Sequence, residues 1–564
     1  MWKKRPLVLF KFFFIGLLCY LFVSMGYVYG QDTDDWQQEI PLSKRMATFG
    51  KVWGILKYFH PEVATGAIDW DGALIAAIPR VKAAADFVSF NQELHNLIVE
   101  AGDVDKVEAN STASAYPNEE LFKWLKEDPI LNDTVSEKLR LIQKKYTPVA
   151  NAYYGYTTSG VPTFHTDTPY YWPLYPDEEH RLLALFRYWN IINYFFPYRD
   201  LIDEDWADVL EEFVQPVIDA ANDTEYVLVI KEFTARIDDT HAFLWNYSYT
   251  QFLGPWFAPA EVSYIDGKTV VVATMPSLLQ PAGGLQVGDV ILNYRGMDID
   301  DFRASLHKLV RGSNEPARQH KIDPFVTRAP QPTFPYTIER DGSVMEVEIQ
   351  GVTSSVISQW QAEQPEVKWK MLPGNIGYVD LSLLLPDDVD VVMPQLLGTR
   401  AIVFDLRGYP NGTMHMVVKY LAPRPEGFAK LQRPVENVPG SFYMDKCLYT
   451  GTDNPNYFSG KVIILVNEKT ISQSEFNCMV FQIAPDVTII GSQTAGADGD
   501  TVTVNLPGAI FTYFSGFGVY YPNGHPTQQI GIVPDIYCRP TVEGIRQGRD
   551  EVLERAIEFV ENSK

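Results

Sequence analysis

The stretch 470-TISQSEF-476 puts two serines, Ser472 and Ser474, between a strand-like apolar run, 461-KVIILVN-467, and a helix-like segment. A hydroxyl at the turn from strand to helix stands at the rim of a sheet. The backbone N–H groups that follow belong to a helix N-terminus and have no intrahelical acceptor. They are free to donate to a developing oxyanion, which suits acyl transfer through a serine ester. The same hydroxyl would serve equally well as a helix cap, and no G-x-S-x-G elbow occurs to decide the matter. A second piece is 405-DLRGYPNGT-413, a strand end running into a Gly/Pro/Asn turn that either presents a backbone N–H at the mouth of a sheet or is an ordinary tight turn. A base is needed too. Of the nine histidines, His241, His415 and His525 are the contenders; the last two sit on glycine-bearing C-terminal loops.

His241 stands out because of the element that carries it. The sequence repeats itself: 51-KVWGILKYFHP-61 with 68-IDWDGALIAAIP-79, then 187-RYWNIINYFFP-197 with 204-EDWADVLEEFVQP-216. Trp53 matches Trp189, Tyr58 matches Tyr194, Pro61 matches Pro197 and Trp70 matches Trp206, all at one offset. Apolar residues recur at helical spacing on each side of a proline break, so each copy reads as two or three packed helices. The copies diverge at their ends: Val104 and Asp105 in the first become Thr240 and His241 in the second. One copy of a duplicated scaffold has gained a Thr-His pair.

The elements between and beyond follow from pattern. Residues 105–175 form a polar, aromatic-spotted connector without clear periodicity. The run 262-VSYIDGKTVVVATM-275 reads as a hairpin, and 281-PAGGLQVGDVILNYRGMDIDDFRASLHKLV-310 continues strand, Gly-Asp turn, strand, Gly turn and helix. This segment resembles a PDZ domain in its L-x-x-G-D-x-I-L-x-x-x-G pattern, at Leu285, Gly288, Asp289, Ile291, Leu292 and Gly296; the Gly-apolar-Gly carboxylate loop of peptide-binding PDZ domains is not obvious, and a structural or regulatory PDZ is the alternative. Strands 335–342 and 344–351 would close it. The last third alternates strands (375–382, 401–408, 461–467, 487–491) with helices near 411–422, 473–484 and 548–562, a layered α/β pattern broken by a proline-rich excursion at 423–458.

Taken together, the serine turn, the glycine turn and the histidine resemble the C-terminal processing (tail-specific) serine proteases, and within them the tricorn-like branch, over residues 235–545. That family's S-x-S-E is Ser472-Gln473-Ser474-Glu475 here. Its D-x-R-x-N-x-G-G-like turn is matched by Asp405, Arg407 and Gly412, with Tyr409 and Asn411 departing. Its G-x-x-T-x-G is Gly491, Thr494 and Gly496; its G-I-x-P-D is Gly531, Ile532, Pro534 and Asp535. The resemblance implies Ser472 as nucleophile, an oxyanion hole from the N–H groups of Gln473 and Gly412, and a protein or peptide substrate often recognised by its free C-terminus. It implies no metal and no cofactor. The tail-specific branch places a lysine after that last glycine, where this chain has Ala497, so a Ser-Lys dyad there is excluded. The tricorn-like branch uses a histidine beside a hydroxyl, which corresponds to His241 and Thr240, and a glutamate at the position of Gln528. A neutral amide orients an imidazole but does not stabilise imidazolium, so Asp238 or Asp239 would take the acid's part or catalysis would be slow. A catalytically silent, peptide-binding relative is the alternative.

The resulting expectation is a multidomain α/β protein with a helical repeat cap, a PDZ-like domain and a crotonase-like α/β catalytic core. Its parts are 1–30 signal peptide, 31–104 first repeat copy, 105–175 connector, 176–255 second copy with the histidine, 256–352 PDZ-like domain, and 353–564 core. Bulk properties agree with this. At 564 residues several cores are expected, and a net charge of −24 without a Lys/Arg-rich run argues against nucleic-acid binding. Lys3, Lys4 and Arg5 ahead of an apolar stretch to Gly30 read as an export signal, with an uncleaved anchor as alternative and no permanent span after cleavage. The expected location is therefore periplasmic or extracellular. Once Cys19 leaves with the signal, Cys447, Cys478 and Cys538 remain, an odd count without zinc spacing.

Overall fold

The computed structural model describes residues 39–102, 118–275, 284–363 and 367–563. The expected signal at 1–30 lies outside the described residues. Among the described residues no helix is long and apolar enough to cross a membrane.

The repeat folds as two helical triplets: Leu42–Phe59, Trp70–Ala83 and Phe87–Ala101, then Glu178–Phe195, Trp206–Asp219 and Asp223–Ala235. All three starts recur at one offset (178 against 42, 206 against 70, 223 against 87). The caps recur with them. Asp69 and Asp205 accept N–H bonds at the second helix of each copy, and Asp86 and Asn222 do so at the third. In each copy the two matched tryptophans exchange hydrogen bonds. Trp53 Nε1 donates to the Trp70 carbonyl (2.9 Å) and Trp70 Nε1 to that of Trp53 (3.1 Å); Trp189 and Trp206 repeat this at 2.6 and 3.1 Å. The long first helices pack against each other about a pseudo-twofold axis. Gly54 faces Asn190, its own equivalent, and a Cβ on Gly54 would lie 1.8 Å from Asn190 Oδ1. The connector is less featureless than its pattern suggests. It holds a helix, Asp133–Lys144, capped by Asn132 and buried through Val135, Leu139 and Ile142. These three, with partly buried Leu141, suffice on a strongly polar segment once a neighbouring surface is supplied.

The middle of the chain forms an antiparallel sheet in the order Ser343–Gln350, Thr333–Arg340, Val290–Tyr294, Lys268–Thr274, Ala260–Ile265, with its own apolar core. Helix Glu315–Val326 packs on its edge strand Ala260–Ile265. The last part is built on a six-stranded sheet: Trp369–Leu372, Ile376–Asp380, Ala401–Asp405, Lys461–Val466, Val487–Gly491 and Ile536–Tyr537. All pairings after the first are parallel, and neighbours follow in chain order. Such strands are apolar on both faces, as 461-KVIILV-466 is. The proline-rich excursion is itself sheet, Glu426–Pro434 pairing with Phe442–Met444, Leu448–Thr450 and Gly518–Tyr520. A hairpin absent from the sequence expectation, Thr501–Leu506 with Ile510–Ser515, takes Leu244–Trp245 from the second repeat copy as a third strand. That pairing brings the end of the helical repeat onto the α/β core. The described cysteines are free thiols, Cys478 buried.

Candidate active site

Strand Lys461–Val466 ends at the sheet rim, and a turn leads to helix Gln473–Phe481. Thr470 fixes this turn: its Oγ1 donates to the Leu406 carbonyl (2.9 Å), and its own carbonyl accepts from Ala495 N–H (2.9 Å). Ser472 follows with φ 57° and ψ −123°. A non-glycine residue at positive φ of this kind is strained by about 1–3 kcal/mol and persists only where its surroundings hold it. Here Ser472 N–H donates to Ala497 O at 2.8 Å and also approaches Glu475 Oε2 at 3.3 Å. Ser474 is fully buried and donates to the Gly408 carbonyl at 3.3 Å, so of the two serines only Ser472 is accessible.

The buried Glu475 carboxylate gathers the loop around the serine. It accepts from Thr494 Oγ1, from Gly496 N–H (2.8 Å) and from Ala497 N–H (3.0 Å). Burial outweighs these donors and pushes its pKa up to about 7. Gly531 lies against Thr494, where a Cβ would meet Oγ1 at 2.3 Å, and Ile532 N–H donates to the same oxygen. The three motifs around residues 475, 494 and 531 are therefore one hydrogen-bonded cluster. Ala497, beside Ser472 through its carbonyl, has only a methyl group to offer.

The glycine turn reaches the same place. Arg407 holds both carboxylate oxygens of Asp405 and of Asp550. Gly412 takes φ +74°, and a Cβ on it would stand 3.4 Å from Gln473 Nε2. Among the described residues neither Gly412 N–H nor Gln473 N–H has an acceptor. Two free backbone donors thus flank the serine turn.

The turn carrying His241 is pinned to the same loop. Thr240 Oγ1 donates to the Ala495 carbonyl (2.9 Å), two residues from the carbonyl that holds Ser472. The imidazole Nδ1 bonds Ser515 Oγ at 2.8 Å, and no direct hydrogen bond joins the ring to Ser472. Asp239 is the nearer acid. Its carboxylate accepts from the backbone N–H of His241 (3.0 Å) and of Ser515 (2.7 Å), and lies 3.9 Å from His241 Nδ1. Asp238 faces Arg311 instead, and burial raises its carboxyl to about 6. Gln528 makes no hydrogen bond to the imidazole. Its amide approaches Asp239 Oδ1 (3.4 Å) and Ser313 Oγ (3.5 Å), and its Oε1 is buried without a partner. Burial holds the His241 pKa below 6.5, against the opposing Asp239 charge and with a further push from Lys321. The competing histidines stand elsewhere: His415 bonds Thr450 Oγ1 and His525 is on an exposed turn.

Sequence reasoning missed the residues that grip this turn from the middle of the chain. Ser313 exchanges two bonds with Thr240, donor and acceptor each way, at 2.9 and 2.8 Å. Lys321 Nζ donates to the carbonyls of Thr240 (2.8 Å) and Ala242 (2.9 Å), bracketing His241. Asn314 Nδ2 donates to the Thr494 carbonyl at 2.8 Å. A lone serine and lysine carry no spacing signal; only the fold brings 313–321 to 240. Among the described residues no cluster of three or more metal-ligating side chains occurs.

Residues 375–538 match peptidase family S41. The comparison with curated proteins gives no match. Among solved structures, mature CPAF complexed with lactacystin aligns with TM-score 0.55 at 14% identity, over 68% of this chain and 99% of its own. Mature CPAF alone aligns with TM-score 0.54 at 15% identity, over 68% and 98%. At such identities the likeness speaks for the fold, while the matched segment spans the serine turn, the glycine turn and the clustered motifs. Residues 375–538 are a peptidase family S41 domain, which makes this chain a serine-type peptidase.

Proposed function

We propose that this protein is an exported endopeptidase that cleaves protein or peptide substrates through an acyl-enzyme on Ser472, with His241 as the general base. The observation that carries this reading is the Ser472 turn: a strained, accessible serine at a strand-to-helix turn, flanked by the unpaired N–H groups of Gly412 and Gln473. In the first step His241 takes the Ser472 proton as Oγ bonds the scissile carbonyl carbon. The carbonyl oxygen becomes an oxyanion between the two N–H groups, each worth roughly 3 kcal/mol of transition-state stabilisation. The imidazolium then gives its proton to the leaving amine as the C–N bond breaks, and water, deprotonated by the same ring, hydrolyses the ester. A neutral, buried imidazole is ready to act as a base at neutral pH.

In this reading Asp239 and Ser515 do the orienting that the resembled branch assigns to a glutamate. Thr240 anchors the turn, and Gln528 backs Asp239 rather than the ring. Thr240 and Ser472 are bonded to the same loop, at the carbonyls of Ala495 and Ala497; in this reading imidazole and hydroxyl meet when substrate binds, since catalytic hydrogen bonds often tighten only then. The finer architecture belongs to the proposal: a crotonase-like core, a helical cap formed by the repeat, and a PDZ-like domain in the middle sheet that recognises substrates near a free C-terminus.

A serine-directed fluorophosphonate tests the assignment. The wild-type protein should label on Ser472, Ser472→Ala should not, and His241→Ala should label at least a hundredfold more slowly. Labelling that survives Ser472→Ala ends the proposal. An unlabelled wild type that still binds peptides would instead favour the silent binder.

A further inference from the structure

The sheet formed by Thr501–Leu506, Ile510–Ser515 and Leu244–Trp245 has two unlike faces. Ile510, Thr512, Phe514 and Leu244 are buried on one. On the other, Phe511, Tyr513 and Ser515 alternate along the central strand. Trp245 pairs with Phe511, and Tyr513 N–H donates to the Phe243 carbonyl, which sets these two aromatic residues beside them. Ser515, the end residue of this face, is the one that bonds the His241 ring. The imidazole therefore covers one end of the face, and the row of aromatic rings starts next to it.

The rings come in two tiers. Phe243 lies 6.3 Å from Tyr513 between centroids; farther out Phe511 lies 5.6 Å from Trp245 and stacks on Tyr171 at 5.9 Å. These side chains are left open: Phe243 is 53% exposed, and Trp245 and Tyr171 are each 47% exposed. Exposed aromatic side chains grouped in this way suit an interaction site. The neighbouring strand adds only Thr501, Thr503 and Asn505 to the face, so no charge interrupts it. Same-face side chains on a strand recur about every 6.7 Å. An extended chain passing through the catalytic site has the same repeat, so alternate side chains of one segment meet the two tiers in step.

We propose that this aromatic face is the specificity surface of the peptidase. It takes an extended, uncharged stretch of an unfolded protein that bears apolar or aromatic side chains at alternate positions on one side of the cleaved bond. This inference rests on Ser472 and His241 being the catalytic pair.

The test is cleavage-site mapping by mass spectrometry on a reduced, unfolded protein, with wild type, Trp245→Ser and the pair Trp245→Ser, Phe511→Thr. A quenched peptide matching the preferred wild-type site supplies kcat/KM. Wild type should favour sites with apolar residues at alternate positions on one side of the bond. The variants should lose that preference and at least tenfold in kcat/KM, mainly through KM, while labelling with fluorophosphonate at the wild-type rate. Variants that label normally and keep the wild-type site pattern overturn the proposal. So does a protein that is dimeric by light scattering and becomes monomeric on Trp245→Ser, because the face would then be a self-contact. A wild type that does not label at Ser472 overturns the active-site assignment, and this inference with it.

Discussion

The charge that brackets the catalytic turn makes two opposed predictions about pH. Burial and the Lys321 ammonium both hold the His241 pKa below 6.5, while Asp239 raises it. Catalysis needs neutral imidazole, so kcat/KM should rise on an acid limb centred below 6.5 and be level at neutrality. Lys321→Met removes one lowering influence and should move that limb toward higher pH. The same variant also leaves the Thr240 and Ala242 carbonyls without their donor. Hydrogen bonds to a charged group are worth about 1.5–3 kcal/mol, so kcat/KM should fall roughly tenfold to a hundredfold. Burial brings Lys321 itself down to about 8. Wild type should therefore decline on an alkaline limb near 8, where the neutral amine holds the carbonyls more weakly, and Lys321→Arg should lack that limb. A pH–rate profile whose acid limb does not move in Lys321→Met removes the lysine from the base's environment.

At the level of elements, much was legible because duplication wrote it twice. The helix starts, the caps and the tryptophan exchange all follow from a single offset, and the parallel strands announce themselves as apolar runs. The axis of the repeat gives a direct check. Gly54 leaves room for Asn190, and Gly54→Ala would drive a Cβ into that amide. Overpacking of this kind costs about 1–3 kcal/mol, which thermal or urea unfolding would detect; Asn190→Ala in the same background should recover part of the loss. Elements defined by their partners were not legible. Helix Asp133–Lys144 is polar but for four residues, and strand Thr501–Leu506 carries Thr and Asn on its open face while its hairpin gains a third strand from residues nearly 270 positions earlier. The site divides in the same way. Ser472, Gly412, Thr494 and Gly531 lie in local motifs that a sequence displays, whereas Ser515, Ser313 and Lys321 act on His241 only through tertiary placement. Gln528 approaches Asp239 and makes no hydrogen bond to the imidazole.

On the scale of the whole molecule, three bodies meet at one turn. The helical repeat supplies residues 239–241, the core supplies Ala495 and Ser515, and helix Glu315–Val326, packed on the middle sheet, supplies Lys321 with Ser313 and Asn314 just ahead of it. The turn is buried and held by hydrogen bonds from groups outside it, so its geometry depends on all three staying docked. Asn314 ties the middle sheet to the core through Thr494 and Gln529, while Lys321 ties it to the histidine turn. If the middle sheet acts as one rigid clasp, loosening either tie releases the same turn, and the second loss adds little to the first. Asn314→Ala and Lys321→Met should then each slow fluorophosphonate labelling, and the double variant should fall short of the product of the two by about 1–2 kcal/mol of coupling, within the range seen for residues in one network. Labelling is the right readout because the reagent is small and does not need the middle sheet for docking. Additive losses would mean that the two ties act separately, and that the middle sheet holds the core and the histidine turn by independent contacts.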